Sequence, residues 1–491
     1  MNGHEAGGGR PGSGMTGMSA RAVMVCGATS GAGKSFLATA LARWYARSGL
    51  RVAPFKAQNM SNNARVVAGG EIGSAQYFQA LAARAVPEVR MNPVLLKPES
   101  DTGSQVVLLG KPDQRLSGMP WRERAGELWP VVLESLEDLR GRHDLLVIEG
   151  AGSPAEINLQ SSDIVNMRVA EAAGAATVII CDIDRGGAFA HLYGTHALLP
   201  PAQRALVRGF VLNKFRGDAA LLAPGPQLLE GWTGVPTLGV LPMWREHGLP
   251  EEDGVFDGEA PAGGFTVAVV AYPRISNLDE FGPLRRVPGL SLIWARTARA
   301  IAAADLLILP GSKHVGHDLE WLRQTGLAAA IAAHVAAGKP TLAVCGGLQL
   351  LGTDLHDPHG VEGAGRGLAL LPLETEYQPE KCLERGRYTL GALGGYWAPL
   401  SGVAFDAYEI RHGSTVVTPA AGAGLVAALP DGAGWQQGQM LALYTHGLFE
   451  SAAVMQALFG HATPSLEDTL EGLADFVDEH IGRTALEGLL A

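Results

Sequence analysis

The chain has 491 residues, 47% of them hydrophobic and 18% charged, and a formal net charge of −11. That length is several times the usual domain size, so two domains with separate cores are expected, and the composition is that of a globular enzyme, not a disordered scaffold. The acidic balance argues against a nucleic-acid partner, whose binding depends on Lys and Arg neutralising phosphates; the scattered Cys26, Cys181, Cys345 and Cys382 form no CxxC pair and indicate neither a disulfide framework nor a structural zinc site.

Residues 1–20 (MNGHEAGGGRPGSGMTGMSA) are Gly-rich, lack the apolar core of a signal peptide and read as a flexible tail. From Ala22 onward, short apolar runs alternate with helix-like stretches. Runs 22–26, 145–148, 177–181 and 209–212 read as buried strands of a parallel α/β sheet. The first leads into Gly27-Ala28-Thr29-Ser30-Gly31-Ala32-Gly33-Lys34-Ser35 and a good helix former closed by Gly49. This is the strand–loop–helix context in which backbone N–H groups and a helix N-terminus cradle phosphates. Gly31 and Gly33 belong to the cradle, Lys34 is placed to neutralise the β/γ oxygens of ATP, and Ser35 to reach Mg²⁺. Ala28 stands where the pattern usually begins with Gly, and its small side chain still permits the turn.

The later strands end in Glu149, in Asp182 with Asp184, and in Asn213, just outside the carboxyl ends where parallel sheets place ligand-binding groups. Glu149 is a candidate Mg²⁺ ligand. Each of these residues alone is as readily a solvated loop group, but their recurrence at successive strand ends favours a site. The acidic, Gly- and Pro-rich PEEDGVFDGEAPAGG then marks a boundary. It divides an ATP-binding domain over 21–250 and a linker over 251–264 from a second α/β domain over 265–491.

The second domain repeats the alternation, with strand-like runs at 265–271, 306–309 and 341–344 and a helix over roughly 318–337. KPTLAVCGGLQLLG sets Cys345 between an apolar run and two glycines that precede a helix. A sharp strand-to-helix turn of this kind exposes the thiol, lets substrate approach and aims helix N–H groups at it. In LALYTHGLFE, His446 follows another strand-like run and is the candidate general base. With 14 histidines in the chain, only geometry can join it to Cys345. No apolar run approaches the ~20 residues of a membrane helix, so a cytoplasmic protein is expected.

The sequence carries KAQNMSNNA (56–64), LLKPESDTGSQV (95–106), VIEGAGSPAEINL (147–159), DIVNM (163–167), DIDRGGAFAHLYGT (182–195), LNKFRGD (212–218), LPGSK (309–313), AVCGGLQLLG (343–352), GLALLP (367–372) and YTHGLF (444–449). In this order and number the motifs closely resemble the cobyric acid synthase family, glutamine-dependent amidases of cobalamin biosynthesis. The resemblance implies a P-loop, parallel-sheet synthetase domain similar to dethiobiotin synthetase, fused to a class I glutamine-amidotransferase-like α/β domain. It implies ATP, Mg²⁺ and L-glutamine as co-reactants and a corrinoid substrate, adenosylcobyrinic acid a,c-diamide, amidated at its b, d, e and g carboxylates through acyl phosphates. Cys345 would attack glutamine and His446 would protonate the departing ammonia. Lys34 and Ser35 would contact nucleotide and metal, Glu149 the metal, and Asn213 would suit adenine recognition. Self-association stays open.

Departures from the family patterns bear on the details. Ordinary class I glutaminases carry a Glu two residues after the His, where this chain has Leu448, so a Cys-His dyad is expected; Glu450 lies at a different spacing. The YEIRHG run (408–413) makes Glu409 and Arg411 candidates to face the corrinoid. The nearest rival is a cobyrinic acid a,c-diamide synthase, against which the NMSNN, SDTGSQ and DIDRGG runs speak. A rival of another class is a partition-type switch ATPase, which would have no need of the Cys345 elbow.

Overall fold

The computed structural model describes residues 20–99, 103–245, 247–250, 264–419, 424–461 and 464–491; nearly all of the expected tail and of the expected linker lies outside these. The N-terminal half is built on six strands: β1 (Arg21–Gly27), β2 (Val52–Phe55), β3 (Leu145–Glu149), β4 (Ala176–Asp182), β5 (Val207–Phe215) and β6 (Thr237–Pro242). They run in the order β6-β5-β4-β1-β3-β2 and every pair is parallel. Helices cover both faces, which is why these strands are near-continuous apolar runs without polar alternation. Because β1 lies between β3 and β4, the strand order reverses there and a crevice opens beyond its carboxyl end. Helix α1 (Lys34–Arg47) leaves that end directly. A hairpin of Ala64–Val67 with Gly70–Gly73 precedes helix α2 (Ser74–Ala82).

The second half has a mixed sheet of β7 (Phe265–Val270), β8 (Leu290–Ala295), β9 (Leu306–Leu309), β10 (Thr341–Val344), β11 (Leu425–Leu429), β12 (Gly434–Gln437) and β13 (Met440–Leu443). The order is β8-β7-β9-β10-β13-β12-β11, parallel from β8 to β13 and antiparallel beyond. Every strand expected from the sequence is present within a few residues. The single helix expected over 318–337 is instead two, Val315–Gln324 and Leu327–Ala336. Gly326 separates them at φ 74, a left-handed conformation that ends the first helix and begins the second.

Among the described residues the halves meet along several contacts, two of them extensive. A long antiparallel ribbon, Leu373–Thr389 with Ala404–Val417, projects from the second half and packs on the Ala64–Val67 strand of the first. Lys381 on the ribbon and Lys97 of the first half each place their ammonium 2.6 Å from the fully buried Glu71. The chain also returns: helix Leu466–His480 lies against α1, where the buried guanidinium of Arg43 binds Glu467 and Glu471 and Trp44 donates to Asp478. Leu470, Leu473, Ala474 and Val477 thereby join the core of the N-terminal half.

Candidate functional site

Two sites take shape at the carboxyl ends of the two sheets. In the first, Gly31 and Gly33 take φ 69 and φ 101, which a side-chain-bearing residue rarely adopts. A Cβ at Gly33 would also stand 2.1 Å from the Asn213 amide. That amide donates to the Ala32 carbonyl at 2.9 Å, so Asn213 braces the loop from the end of β5. Lys34 folds back over the loop, its ammonium 3.1 Å from where a Gly27 Cβ would lie. Ser35 Oγ donates to Glu149 at 2.9 Å, and the same carboxylate accepts from Lys56 at 2.8 Å and from Gln79 at 2.5 Å. Burial works against the charged form of Glu149, but Lys56, Gln79 and Lys34 together outweigh it and hold the carboxyl below its ordinary range.

All the expected nucleotide and metal residues thus face one cleft of about 1550 Å³, lined also by Asp182 and Asp184. Lys214 pairs with Asp182 and Arg216 with Asp184. A hydroxyl and a carboxylate beside a phosphate cradle form a hard oxygen donor set of the kind Mg²⁺ takes, completed by phosphate oxygens and water. Among the described residues no group of three or more His, Cys, Asp and Glu is arranged to hold a metal ion by itself.

In the second site, Cys345 sits between β10 and the helix Gly346–Leu351 with φ 51 and ψ −108. A non-glycine residue held there stores strain on the order of 1–3 kcal/mol, maintained by its surroundings. Those surroundings are close: Cβ atoms on Gly346 and Gly347 would lie 2.7 Å from the Ser312 nitrogen and 2.1 Å from the Leu309 oxygen. Both glycines are needed for the elbow to dock on the end of β9. His446 follows β13, the parallel neighbour of β10, and lines the same small cavity as Cys345.

A buried acid, not expected from the sequence, holds His446. Glu280 Oε1 accepts from His446 Nδ1 at 2.8 Å, and Oε2 accepts from the Gly447 N–H at 2.8 Å. Glu280 is fully buried in the 3-10 segment Leu278–Arg286, next to β7 in sequence. Burial disfavours a charged His446, yet Glu280 and Cys345 outweigh it and push the imidazole up to about 10. Sequence reasoning sought the acid two residues after the histidine, where Leu448 is a core residue. The one signal available was an Asp-Glu pair soon after the first strand of the half.

Glu450 binds Arg65 and leaves His446 to Glu280. Glu409 and Arg411, candidates for the corrinoid, instead pair with each other at 2.7 Å, with Arg411 stacked on Tyr444. Arg411 lines the small cavity in front of Cys345, together with Asn62, Lys97, Lys313 and Lys381. The register of the ribbon carries this segment to the thiol, with the Ile410 oxygen 3.5 Å from Sγ.

Residues 23–251 match the CobQ/CobB/MinD/ParA nucleotide binding domain and residues 266–454 the CobB/CobQ-like glutamine amidotransferase domain. The cobyric acid synthase of Variovorax paradoxus (strain S110) is 62% identical over 479 residues, covering 96% of this chain and 100% of that protein. The chain belongs to the cobyric acid synthase family. The cobyric acid synthase of Methylibium petroleiphilum is 61% identical across 97% of this chain and 98% of its own length, and that of Polaromonas sp. (strain JS666) is 57% identical across 97% and 100%. As a cobyric acid synthase family member with both domains, the chain is a glutamine-dependent ligase. Among its described residues no helix is long and apolar enough to cross a membrane.

Proposed function

We propose that the chain amidates the b, d, e and g carboxylates of adenosylcobyrinic acid a,c-diamide, using ATP in a synthetase domain (21–250) and glutamine in a glutaminase domain beginning at 265. The observation that carries this reading is the pairing, in one chain, of a Cys345–His446–Glu280 arrangement with a cleft of about 1550 Å³ over a phosphate loop. That volume exceeds the usual small-ligand range and suits a nucleotide and a macrocycle together. Arg124, Arg168, Arg185, Arg245 and Arg285 line it, gathering positive charge for a polycarboxylate in a chain whose net charge is −11.

In the glutaminase, Cys345 Sγ attacks the side-chain carboxamide carbon of glutamine. His446, held through Nδ1 by Glu280, takes the thiol proton on its other ring nitrogen and gives it to the departing nitrogen; the C–N bond breaks and ammonia leaves a γ-glutamyl thioester. Water then attacks the thioester, giving its proton to His446, and glutamate leaves with the thiol restored. In the synthetase, the loop and Lys34 hold the triphosphate while a corrinoid carboxylate oxygen attacks the γ-phosphorus and ADP leaves. Ser35 and Glu149 would hold Mg²⁺, which supplies neutralisation of the charge developing on the phosphates. Ammonia adds to the acyl phosphate and inorganic phosphate departs, giving one amide per ATP and glutamine. ATP, glutamine and the corrinoid would all be drawn from the cytoplasm.

One segment of the chain borders both sites. Gln58, Asn59 and Met60 line the nucleotide cleft, while Asn62 lines the Cys345 cavity. Close to Asn59 of this segment, Gln76 is fully buried, and among the described residues neither of its amide atoms has a hydrogen-bond partner. Buried amides without partners demand a small polar occupant, and ammonia passing between the sites meets that demand.

The test is mass spectrometry of adenosylcobyrinic acid a,c-diamide incubated with the protein, ATP, Mg²⁺ and glutamine. A gain of four amides is expected, lost in Cys345→Ala with glutamine and restored with ammonium. No gain from a protein that still hydrolyses glutamine would overturn the substrate assignment and direct the same assay to the a,c-diamide synthase substrate.

A further inference from the structure

The acid that orients His446 sits in a segment clipped, residue by residue, to the other half of the chain. Asn277, at φ 54, donates through Nδ2 to the Ala64 carbonyl at 3.0 Å, and the Leu278 N–H donates to Asn63 Oδ1 at 3.1 Å. Asp279 accepts from the Arg65 guanidinium at 2.5 Å. The next residue is Glu280. Three successive positions ahead of the glutaminase acid are therefore held by three successive positions, 63–65, of the nucleotide-binding half.

Arg65 makes more than the one contact. Its two terminal nitrogens grip Glu450 in a fork at 2.9 and 2.6 Å, just past the end of the His446 loop. The guanidinium also lies 4.8 Å from the ring of Tyr408. That ring stacks on His446 with centroids 5.2 Å apart and planes within 20°, and the Tyr408 backbone exchanges hydrogen bonds with His446. The arginine is almost wholly buried, with 3% of its side chain exposed. A planar fork that binds two carboxylates and backs an aromatic ring is a geometry that lysine does not reproduce.

We propose that Arg65, from the nucleotide-binding half, is a positioning residue of the glutaminase: it holds Asp279, Glu450 and Tyr408 so that Glu280 and His446 line up on Cys345. Glutamine hydrolysis then depends on correct docking of the two halves. Through Ser74, which accepts from Arg65 Nε at 3.4 Å, the same residue touches the start of α2, whose Gln79 reaches Glu149 in the nucleotide cleft. The inference rests on Cys345 and His446 forming the glutaminase centre.

The experiment uses full-length Arg65→Lys and Arg65→Met, with Cys345→Ala as a reference. Three quantities are read: kcat and KM for glutamine hydrolysis, the pH profile of hydrolysis, and amidation driven by ammonium. Expected are a fall in hydrolysis kcat of about tenfold or more, little change in KM, a basic limb moved to lower pH, and retained ammonium-driven amidation, with Lys closer to wild type than Met. Unchanged hydrolysis overturns the proposal, as does a proportional fall of both activities with Tm, which marks a structural role only. Should the Arg65 variants not fold, Asp279→Asn is measured instead, and unchanged kcat and pH profile there overturn the proposal equally. Hydrolysis that survives Cys345→Ala would show that the glutaminase reading, not the role of Arg65, has failed.

Discussion

At the scale of single residues, Glu280 and His446 show how burial and charge set a proton's address. Burial alone would strip the proton from His446, but Glu280 on one side and Cys345 on the other raise it to about 10. Because the folded value lies above the ordinary 6.5, the stabilisation from this contact is present in full below pH 6.5 and is lost as pH rises through about 10. Replacing Glu280 by Gln removes the strongest influence that raises the imidazole. The basic limb of kcat/KM for glutamine hydrolysis should accordingly move to lower pH, with kcat reduced by about tenfold to a hundredfold; a profile identical to wild type would remove Glu280 from the mechanism.

At the scale of elements, α2 connects the two chemistries. Gln76 and Gln79 are three residues apart and so share a face of the helix. Gln79 donates to Glu149 beside the phosphate loop. Gln76 clusters near Gly73 with the amides of Asn59 and Asn92, where an added Cβ would meet atoms of all three between 2.5 and 3.3 Å away. Gln76→Leu keeps the volume of the side chain but replaces a polar surface with an apolar one. Glutamine hydrolysis should continue while glutamine-driven amidation falls, so that more than one glutamine is consumed per amide; a ratio that stays at wild type would exclude this face as the route of ammonia. Stability should not suffer, because an amide without partners is removed.

At the scale of the whole molecule, docking of the halves relies on buried charge. Glu71 is fully buried and bridges Lys97 of one half to Lys381 of the other. Burial raises the Glu71 carboxyl, but Lys381 and Lys97 outweigh it and hold it at about 2. Its folded value is depressed, so its contribution is present above the ordinary 4.5 and fades as pH falls toward about 2. Glu71→Gln would remove the carboxylate shared by Lys381 and by Lys97, whose amine is already held down at about 7 by burial, and should cost about 3 kcal/mol or more, read as a drop in Tm at neutral pH. The difference from wild type should narrow in acid, where the wild-type bridge is itself lost.

Much of this protein was legible one residue after another. The strands are continuous apolar runs because both sheets are covered, and Gly31, Gly33, Lys34 and Ser35 declare a phosphate cradle because its geometry is closed within one loop and one helix end. The Cys345 elbow is equally local, since the two glycines that permit it are its immediate neighbours. Glu280 could not be found this way: it lies 166 positions from His446, in a 3-10 segment with no spacing rule that ties an acid to that imidazole. The same holds for Arg411, delivered to the thiol by ribbon register, and for the last long helix, which returns across the sequence to cover α1. By itself the sequence determined the strands, the loop and the elbow, because each is made by contacts between neighbours. Only the tertiary structure decided which acid serves which histidine and which half holds it, because those contacts join distant segments whose meeting is set by how the two sheets dock.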